Sequence, residues 1–563
     1  MTFITNDPGT ILLRSGFDAW YHCLPPKLGI DQFRYTLPVL VFADDKEPVI
    51  VAKEIDRTNL EAISDPGVRF VFHTPYFTFD RLEKGSDARS GVVEGVAEVT
   101  GSDAELDASL PVKLYRELDE GLGLPERDVA VGFRLPLNWY RVPCRKITTI
   151  GEPAHREAVA TARPYLDDLG EVEAAEQWLV GGGEDRFVEL DRLMAANGID
   201  AVLASTPVNV QELSGIPASV AGNEVWAVYR REEEEVHVFS RRELPWLGLP
   251  ESSAVLIGNG KADAAARVFL GGARDGAIAY EELDLTMAAF AGFGLPGVDA
   301  RPGSLLFRRW RELRCYEDLP FYVLGAQVTL KGIEAALALV REAVADGREV
   351  SELDAYERYR AAVADEIERR SLPIRVRTYF THTHAGNRSL IPARATGFSL
   401  VPLTSLKIDA GLEVYDDDGS LRAVSDITRS AVGTAEAQEL YMLLDRVLVD
   451  HVIARCTAGT SGGEVFESGA LALEPHRSSL AGQGLCPDLD LPFAEMIGRD
   501  IGHLLGKQEP ATVVFEKGNR VQIDAGMVAA AEIQWPYHDY CIGVEDVFMA
   551  TGGEPINLTR GKG

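Results

Sequence analysis

The chain has 563 residues, with 56 Lys and Arg against 87 Asp and Glu, and therefore a net charge of −31. Such a charge argues against nucleic acid or an anionic membrane surface as a partner. The six cysteines show no CxxC pair or regular spacing, so the sequence supports neither a disulfide framework nor a zinc–thiolate site, and a reduced cytoplasm fits best. The first residues lack the basic and apolar regions of a signal peptide, and no run of about 18 apolar residues occurs, so we expect neither secretion nor a membrane span.

The length predicts about three domains. The first unit, residues 1–150, reads as an α/β domain with strands at 37–42, 48–51, 68–72 and 129–132 and a helix at 110–120. The second unit, residues 151–307, begins with acidic helices and continues with strands at 198–203, 224–229 and 235–239. The segment 15–20 (SGFDAW) echoes 197–202 (NGIDAV), which indicates that the first unit is a degenerate copy of the second.

The third unit, residues 308–563, differs from the first two in its pattern of predicted elements. Two long amphipathic helices are predicted at 319–346 and 350–370, with Ser351 as N-cap and Asp354 at the capping-box distance. Strand-rich segments follow at 374–434 and 513–556, separated by a helix at 435–456.

A pair of carboxylates organises the third unit. The stretch 406–430 (LKIDAGLEVYDDDGSLRAVSDITRS) reads as a β-hairpin with its midpoint between residues 417 and 418. Asp409 and Asp426 are equidistant from that midpoint and are expected to face each other, with 421–427 as the returning strand. Opposed like charges are destabilising, so a divalent cation or a shared proton should neutralise them.

A second pair repeats this arrangement. Strands at 528–533 and 541–549 flank a turn whose midpoint lies between His538 and Asp539, which places Glu532 opposite Glu545. Four carboxylates suit a hard or borderline divalent ion, and two ions about 3.5–4 Å apart would let carboxylates bridge them. Asp524, in a second IDAG sequence, is expected to face a helix instead.

These motifs resemble those of the M24 family of creatinase, aminopeptidase P, prolidase and methionine aminopeptidase, which has the pita-bread fold. The similar segments are LKIDAG with SDITRS, GMVAAAEI, GVEDVFMATGGEPINLT and, for a creatinase-type N-terminal domain, NGIDAVLASTPVNVQELSG. The resemblance covers residues 190–559. It implies one or two α/β creatinase-type N-terminal domains before an α+β pita-bread domain, and it matches four of the family's five metal ligands to Asp409, Asp426, Glu532 and Glu545.

The histidines depart from the family pattern. In one register the family's histidine ligand corresponds to Gly506 or Lys507, and in the other to Pro510; His503 is then a ligand candidate only if its loop is rebuilt. The substrate-side histidine also has no counterpart, because Pro392 is followed by Ala393. His382 and His384 alternate along a strand, face the same side and could substitute for it.

The resemblance implies a metal-dependent hydrolase with two ions of Mn, Fe, Co or Zn and with Glu532 as the proton shuttle. Its substrate would be a short peptide, cleaved at the bond before proline, or a small molecule with another C–N bond. Two alternatives stay open: a creatinase-like C–N hydrolase that works without metal, and a binding or scaffold protein. The resemblance also implies a homodimer, although an extra N-terminal unit could replace the partner's roof over the site and leave a monomer.

Overall fold

The computed structural model describes residues 2–561, apart from 17–36, 44–45, 54–56, 58–59, 61–66, 74–87, 101–102, 125–137, 145–148, 182–184, 222–224, 248–269, 271–275, 391–394, 483–490 and 508–510. The predicted strand at 129–132 and the positions of Pro392, Ala393 and Pro510 lie outside these residues. The other predicted strands and the helix of the first unit agree with the structure to within two residues.

The first unit is a five-stranded sheet in the order β4-β3-β2-β1-β5. Its strands are β1 (Thr2–Thr5), β2 (Val39–Phe42), β3 (Val49–Lys53), β4 (Arg69–His73) and β5 (Ala104–Leu106), and its helices are α1 (Pro8–Ser15), α2 (Ala88–Ala97) and α3 (Val112–Leu122).

The second unit is a six-stranded sheet in the order β11-β10-β7-β8-β9-β6. Its strands are β6 (Asn138–Pro143), β7 (Ile199–Ala204), β8 (Val225–Arg230), β9 (Glu235–Ser240), β10 (Ala277–Tyr280) and β11 (Ala300–Pro302). The helices from the end of the first unit onward are α4 (Pro153–Asp168), α5 (Val172–Val180), α6 (Arg186–Ala196), α7 (Pro207–Ser214), α8 (Ala218–Ala221), α9 (Leu244–Leu247), α10 (Met287–Gly292) and α11 (Ser304–Glu312).

The predicted domain boundary at residue 150 does not follow the packing. Strand β6 precedes that boundary, yet it pairs antiparallel with β9 as an edge strand of the second sheet. Helix α4, which follows the boundary, packs its buried face, including Tyr165 and Leu166, into the core of the third unit. The linear order of elements therefore differs from their grouping in space.

The two N-terminal sheets share a common order of elements. In each, a strand (β1 or β7) leads into an eight-residue helix with proline in its first turn, which ends at a left-handed glycine, Gly16 with φ 69° or Gly215 with φ 75°. An antiparallel hairpin follows, and a later strand pairs parallel to the first. The order of elements therefore matches Gly16 with Gly215, whereas residues 17–20 of the sequence echo lie outside the described residues.

The third unit has two four-stranded sheets, ordered β12-β13-β14 with β15 also paired to β13, and β16-β17-β18-β19. Its strands are β12 (Arg375–Ala385), β13 (Ser405–Tyr415), β14 (Leu421–Val424), β15 (Ile427–Val432), β16 (Gly502–Leu504), β17 (Val528–Tyr537), β18 (Tyr540–Met549) and β19 (Ile556–Asn557). Its helices are α12 (Leu319–Ala345), α13 (Glu352–Arg370), α14 (Ala435–Val447), α15 (Gly462–Leu473), α16 (Arg477–Gly482) and α17 (Phe493–Met496). The capping box at Ser351 and Asp354 is confirmed, whereas the predicted helix at 435–456 ends as an α-helix at Val447.

Helix α12 lies at the centre of the largest hydrophobic core, between α13 and the sheet of β13. A Cβ atom at Gly325 would lie 2.7 Å from Val414 Cγ2, and one at Gly332 would lie 2.7 Å from Tyr359 Cδ2, so these glycines permit close approach on two sides. Within the described residues, Cys315–Ala345 is the one helical segment long and apolar enough to span a membrane, and 72% of its apolar window is buried in the molecule.

A buried ionic network joins the second unit to the third. Lys507 Nζ lies 2.8 Å from Glu212 Oε1 on α7 and 2.5 Å from Asp318 Oδ2, and Asp318 also accepts a hydrogen bond of 2.6 Å from Arg422 Nε. All four side chains are buried. Lys507 therefore pairs with Glu212 and Asp318, which are not among the candidate metal ligands.

This network should make the unfolding free energy depend on pH in the acidic range. Burial opposes ionisation of both carboxyls, but Lys507 beside Glu212 and Arg422 beside Asp318 lower the pKa of each below its ordinary value of 4.5 and 3.8. The unfolded chain therefore takes up protons first, and the unfolding free energy falls as the pH drops below about 4.5. The urea midpoint should decrease less between pH 7 and pH 4 in Lys507→Met than in wild type or in Lys331→Met, which removes an exposed pair. An equal decrease in all three would contradict this.

Candidate metal centre

The four predicted carboxylates come from the facing sheets of the third unit. Asp409 lies on β13, Asp426 lies in the short gap between β14 and β15, and Glu532 and Glu545 lie on β17 and β18. All are buried. The sheets are joined where Thr428 Oγ1 on β15 donates a 2.9 Å hydrogen bond to Glu545 Oε2, which fixes one carboxylate oxygen.

The second predicted pair is confirmed as a cross-strand pair. Glu532 and Glu545 are directly opposite in the β17–β18 ladder, and Tyr537 pairs with Tyr540 around a two-residue turn. His538 occupies this turn with φ 55°, a conformation that such turns require. Because the turn is short, it sets the register of the whole hairpin.

The register predicted for the first pair was wrong by two residues. Asp409 lies opposite Thr428, not opposite Asp426. The turn is longer than expected because the Asp416 carboxylate accepts hydrogen bonds from the backbone N–H groups of Asp418 and Ser420. An even shift keeps side chains on their original face.

The predicted returning strand at 421–427 is also interrupted. Ser425 Oγ accepts a 2.9 Å hydrogen bond from Leu412 N and lies 2.7 Å from Thr329 Oγ1. The backbone N–H of Ser425 still donates to the Leu412 carbonyl oxygen, but Leu412 N donates to the Ser425 side chain, and Asp426 lies in the gap between β14 and β15. The carboxylate of Asp426 can therefore turn toward the second sheet.

His503 joins Asp426 and Glu545 in a compact group of potential metal ligands. One ligand atom of each lies within 4.8 Å of the others, and His503 Nε2 is 3.8 Å from Asp426 Oδ2. His503 Nδ1 is 3.0 Å from the Leu504 carbonyl oxygen, which can only accept, so in the neutral ring Nε2 carries the lone pair that a metal needs. These three residues fit a divalent ion.

The expectation that His503 requires a rebuilt loop was wrong, because strand β16 itself delivers the ring. His503 pairs with Ala530 in the antiparallel β16–β17 ladder. The preceding Gly502 has φ 137°, and a Cβ atom there would collide with the Ala530 carbonyl oxygen. The Gly-His sequence is thus needed for β16 to approach β17.

Glu532 lies in the same buried site, and its surroundings shift its pKa. Burial, together with the nearby Asp500 and Asp409, raises the pKa of Glu532 to about 7, although His503 and Arg499 act in the opposite direction. Sequence reasoning missed Arg499 and Asp500. Both residues lie in an irregular segment outside the strands, so no strand periodicity indicated that they belong to the site.

Lys407 was also missed, although it lies in the stretch 406–430 that contains Asp409 and Asp426. It is fully buried on β13, two residues before Asp409, and its Nζ is 3.7 Å from Asp409 Oδ2. Alternation along a strand places residues 407 and 409 on one face. That period was the signal that could have identified it.

His382 and His384 share the face of Asp409 and Lys407. In the β12–β13 ladder His382 is opposite Asp409 and His384 is opposite Lys407. Both side chains are buried, and their ring centroids are 5.9 Å apart. The strand therefore brings the two rings to the carboxylate-bearing side of the sheet.

Several residues of the SDITR and GVED motifs have a structural role. The buried Asp546 accepts hydrogen bonds from Arg429 Nη2 at 2.6 Å and from Thr559 Oγ1 at 2.8 Å, and it also pairs with Arg560. Asp524 pairs with Arg309 of α11, so it faces a helix as expected. These contacts hold the strands that carry the metal-ligand candidates.

Comparisons with known proteins identify the fold. No protein-family model and no curated protein matches the sequence. Among solved structures, a cytosolic X-prolyl aminopeptidase from Caenorhabditis elegans with a di-nuclear active site aligns over 97% of this chain and 83% of its own, with a TM-score of 0.55 and 13% identity. A dipeptidase from Pyrococcus horikoshii OT3 aligns over 67% of this chain and 98% of its own, with a TM-score of 0.50 and 15% identity. The chain therefore has the fold that its sequence predicted, α/β N-terminal domains followed by an α+β pita-bread domain.

Proposed function

We propose that the chain is a metal-dependent hydrolase of the aminopeptidase P or prolidase type. The observation that carries this proposal is the meeting of Asp426, His503 and Glu545 within 4.8 Å, in the same buried site as Glu532. Three oxygen-bearing side chains with one imidazole suit Mn, Fe, Co or Zn. With Asp409 the site has five ligand candidates, and this number supports two ions.

A divalent ion in this site would polarise a substrate carbonyl and lower the pKa of a water molecule. Asp409, Asp426, Glu532, Glu545 and His503 would hold it, and Glu532 would also accept the proton of the attacking water and return it to the leaving nitrogen. His382 and His384, on the same face of the sheet as Asp409, would donate hydrogen bonds to the substrate carbonyl.

The first substrates to test are Xaa-Pro dipeptides and short peptides with proline in the second position, because the X-prolyl aminopeptidase aligns with almost the whole chain. The purified protein should hydrolyse at least one of them after loading with Mn²⁺, Co²⁺ or Zn²⁺. Absence of hydrolysis with metal bound would contradict the peptidase assignment and direct the search to small molecules with another C–N bond. Absence of metal binding would contradict the proposed function as a whole.

Replacing Glu532 with glutamine should reduce kcat/KM by roughly 10²–10⁴-fold, because the amide cannot take up the proton of the attacking water. The matched control is Glu357→Gln on α13, which lies in an exposed pair and should leave kcat/KM unchanged. Metal content is measured for both variants. A Glu532→Gln variant that retains metal and full activity would exclude Glu532 as the proton shuttle.

A further inference from the structure

Lys407 forms a hydrogen-bonded chain that ends at Glu532. Its Nζ donates to Gln534 Oε1 at 2.7 Å, and Gln534 Nε2 donates to Glu532 Oε2 at 2.7 Å. All three side chains are buried. An ammonium can only donate, so it requires the amide oxygen of Gln534 and thereby turns the amide nitrogen toward the carboxylate.

The facing strand leaves room for this chain of contacts. Gly543 on β18 lies directly opposite Gln534. A Cβ atom at Gly543 would be 3.2 Å from both Lys407 Cδ and Gln534 Cγ, and 2.7 Å from Thr428 Cγ2. The missing side chain at this position therefore accommodates the lysine stem between the two sheets.

Burying an ammonium is costly unless it makes good polar contacts. Lys407 lies 3.7 Å from Asp409 Oδ2 but only 2.7 Å from the Gln534 amide oxygen. The shorter contact is the one that leads to Glu532. The position of the charge is thus explained by the orientation of Gln534 better than by a direct ion pair with Asp409.

We propose that Lys407 is a positioning residue that acts through Gln534 to hold the Glu532 carboxylate in the orientation needed at the metal centre. This inference rests on the proposed function, since it assumes that the centre binds a divalent ion. It distinguishes Lys407 from a simple counter-charge. Removing a counter-charge from a cation site would strengthen metal binding, whereas removing a positioning contact weakens it.

The test is Mn²⁺ titration calorimetry on the full chain after chelator treatment, with Lys407→Met, Gln534→Leu and the double variant. Each single variant should weaken Mn²⁺ affinity by about 10-fold, in the range for groups that orient a ligand. The double variant should lose about the same 10-fold, because both changes break one chain of contacts. Lys331→Met, in an exposed pair, should bind as wild type does.

Gly543→Ala provides a second route that keeps both polar side chains but crowds them, and it should weaken Mn²⁺ binding in the same direction. If Lys407→Met fails to fold, Gly543→Ala and Gln534→Leu still test the proposal. Tighter or unchanged binding in the single variants, or additive losses in the double variant, would overturn the positioning role while leaving the proposed function intact. A wild-type chain that binds no Mn²⁺ would instead overturn the proposed function.

Discussion

Replacing Asp426 with alanine should reduce the affinity for divalent metal by more than about 100-fold, beyond the loss caused by changing a group that only orients a ligand. In the compact group of Asp426, His503 and Glu545, Asp426 is the residue that comes from the sheet of β13. Its Oδ2 lies 3.8 Å from His503 Nε2. Without its carboxylate, only Glu545 and His503 of the compact group remain, and the site loses one of its five ligand candidates. Hydrolytic activity should be lost together with the metal.

The control for this change lies in the same hairpin. Asp417 is an exposed turn residue whose side chain is 74% accessible, so Asp417→Ala should retain wild-type metal affinity. Calorimetric titration with Mn²⁺ or Co²⁺ compares the two variants directly. Equal affinities would show that Asp426 is not a ligand.

Replacing Asp546 with alanine should lower the unfolding free energy by about 3–5 kcal/mol, the loss expected when one partner of a buried ion pair is removed. The carboxylate is fully buried between Arg429 and Arg560, and both guanidinium groups would lose a charged partner. The measurement is the urea unfolding transition at pH 7.

Asp445→Ala is the matched control, because Asp445 pairs with the same Arg560 at 2.6 Å but is 29% exposed. A partly exposed pair contributes about 1 kcal/mol or less. Comparable losses in the two variants would contradict the structural role assigned to Asp546.

The sequence was sufficient where short-range contacts set the geometry. The two-residue turn at His538 and Asp539 determines the alignment of Glu532 with Glu545, and this alignment was predicted correctly. The sequence was insufficient for the alignment of Asp409 with Asp426, because hydrogen bonds to Asp416 and Ser425 alter the turn and interrupt the strand.

Contacts between distant parts of the chain account for the other differences. His503 reaches the carboxylates because β16 pairs with β17, whereas Lys507 pairs with Glu212 and Asp318. Neither direction can be inferred from local periodicity. Lys407 was within reach of such inference, since it alternates with Asp409 along one strand.

The central claim is that this fold holds a divalent metal centre, and the most direct measurement is elemental analysis of the full chain purified without chelator. We predict at least one equivalent of Mn, Fe, Co or Zn per chain, removable by chelator and missing from Asp426→Ala. A content below about 0.2 equivalents, with no recovery on incubation with these ions, would contradict it, because a preformed site should bind metal tightly.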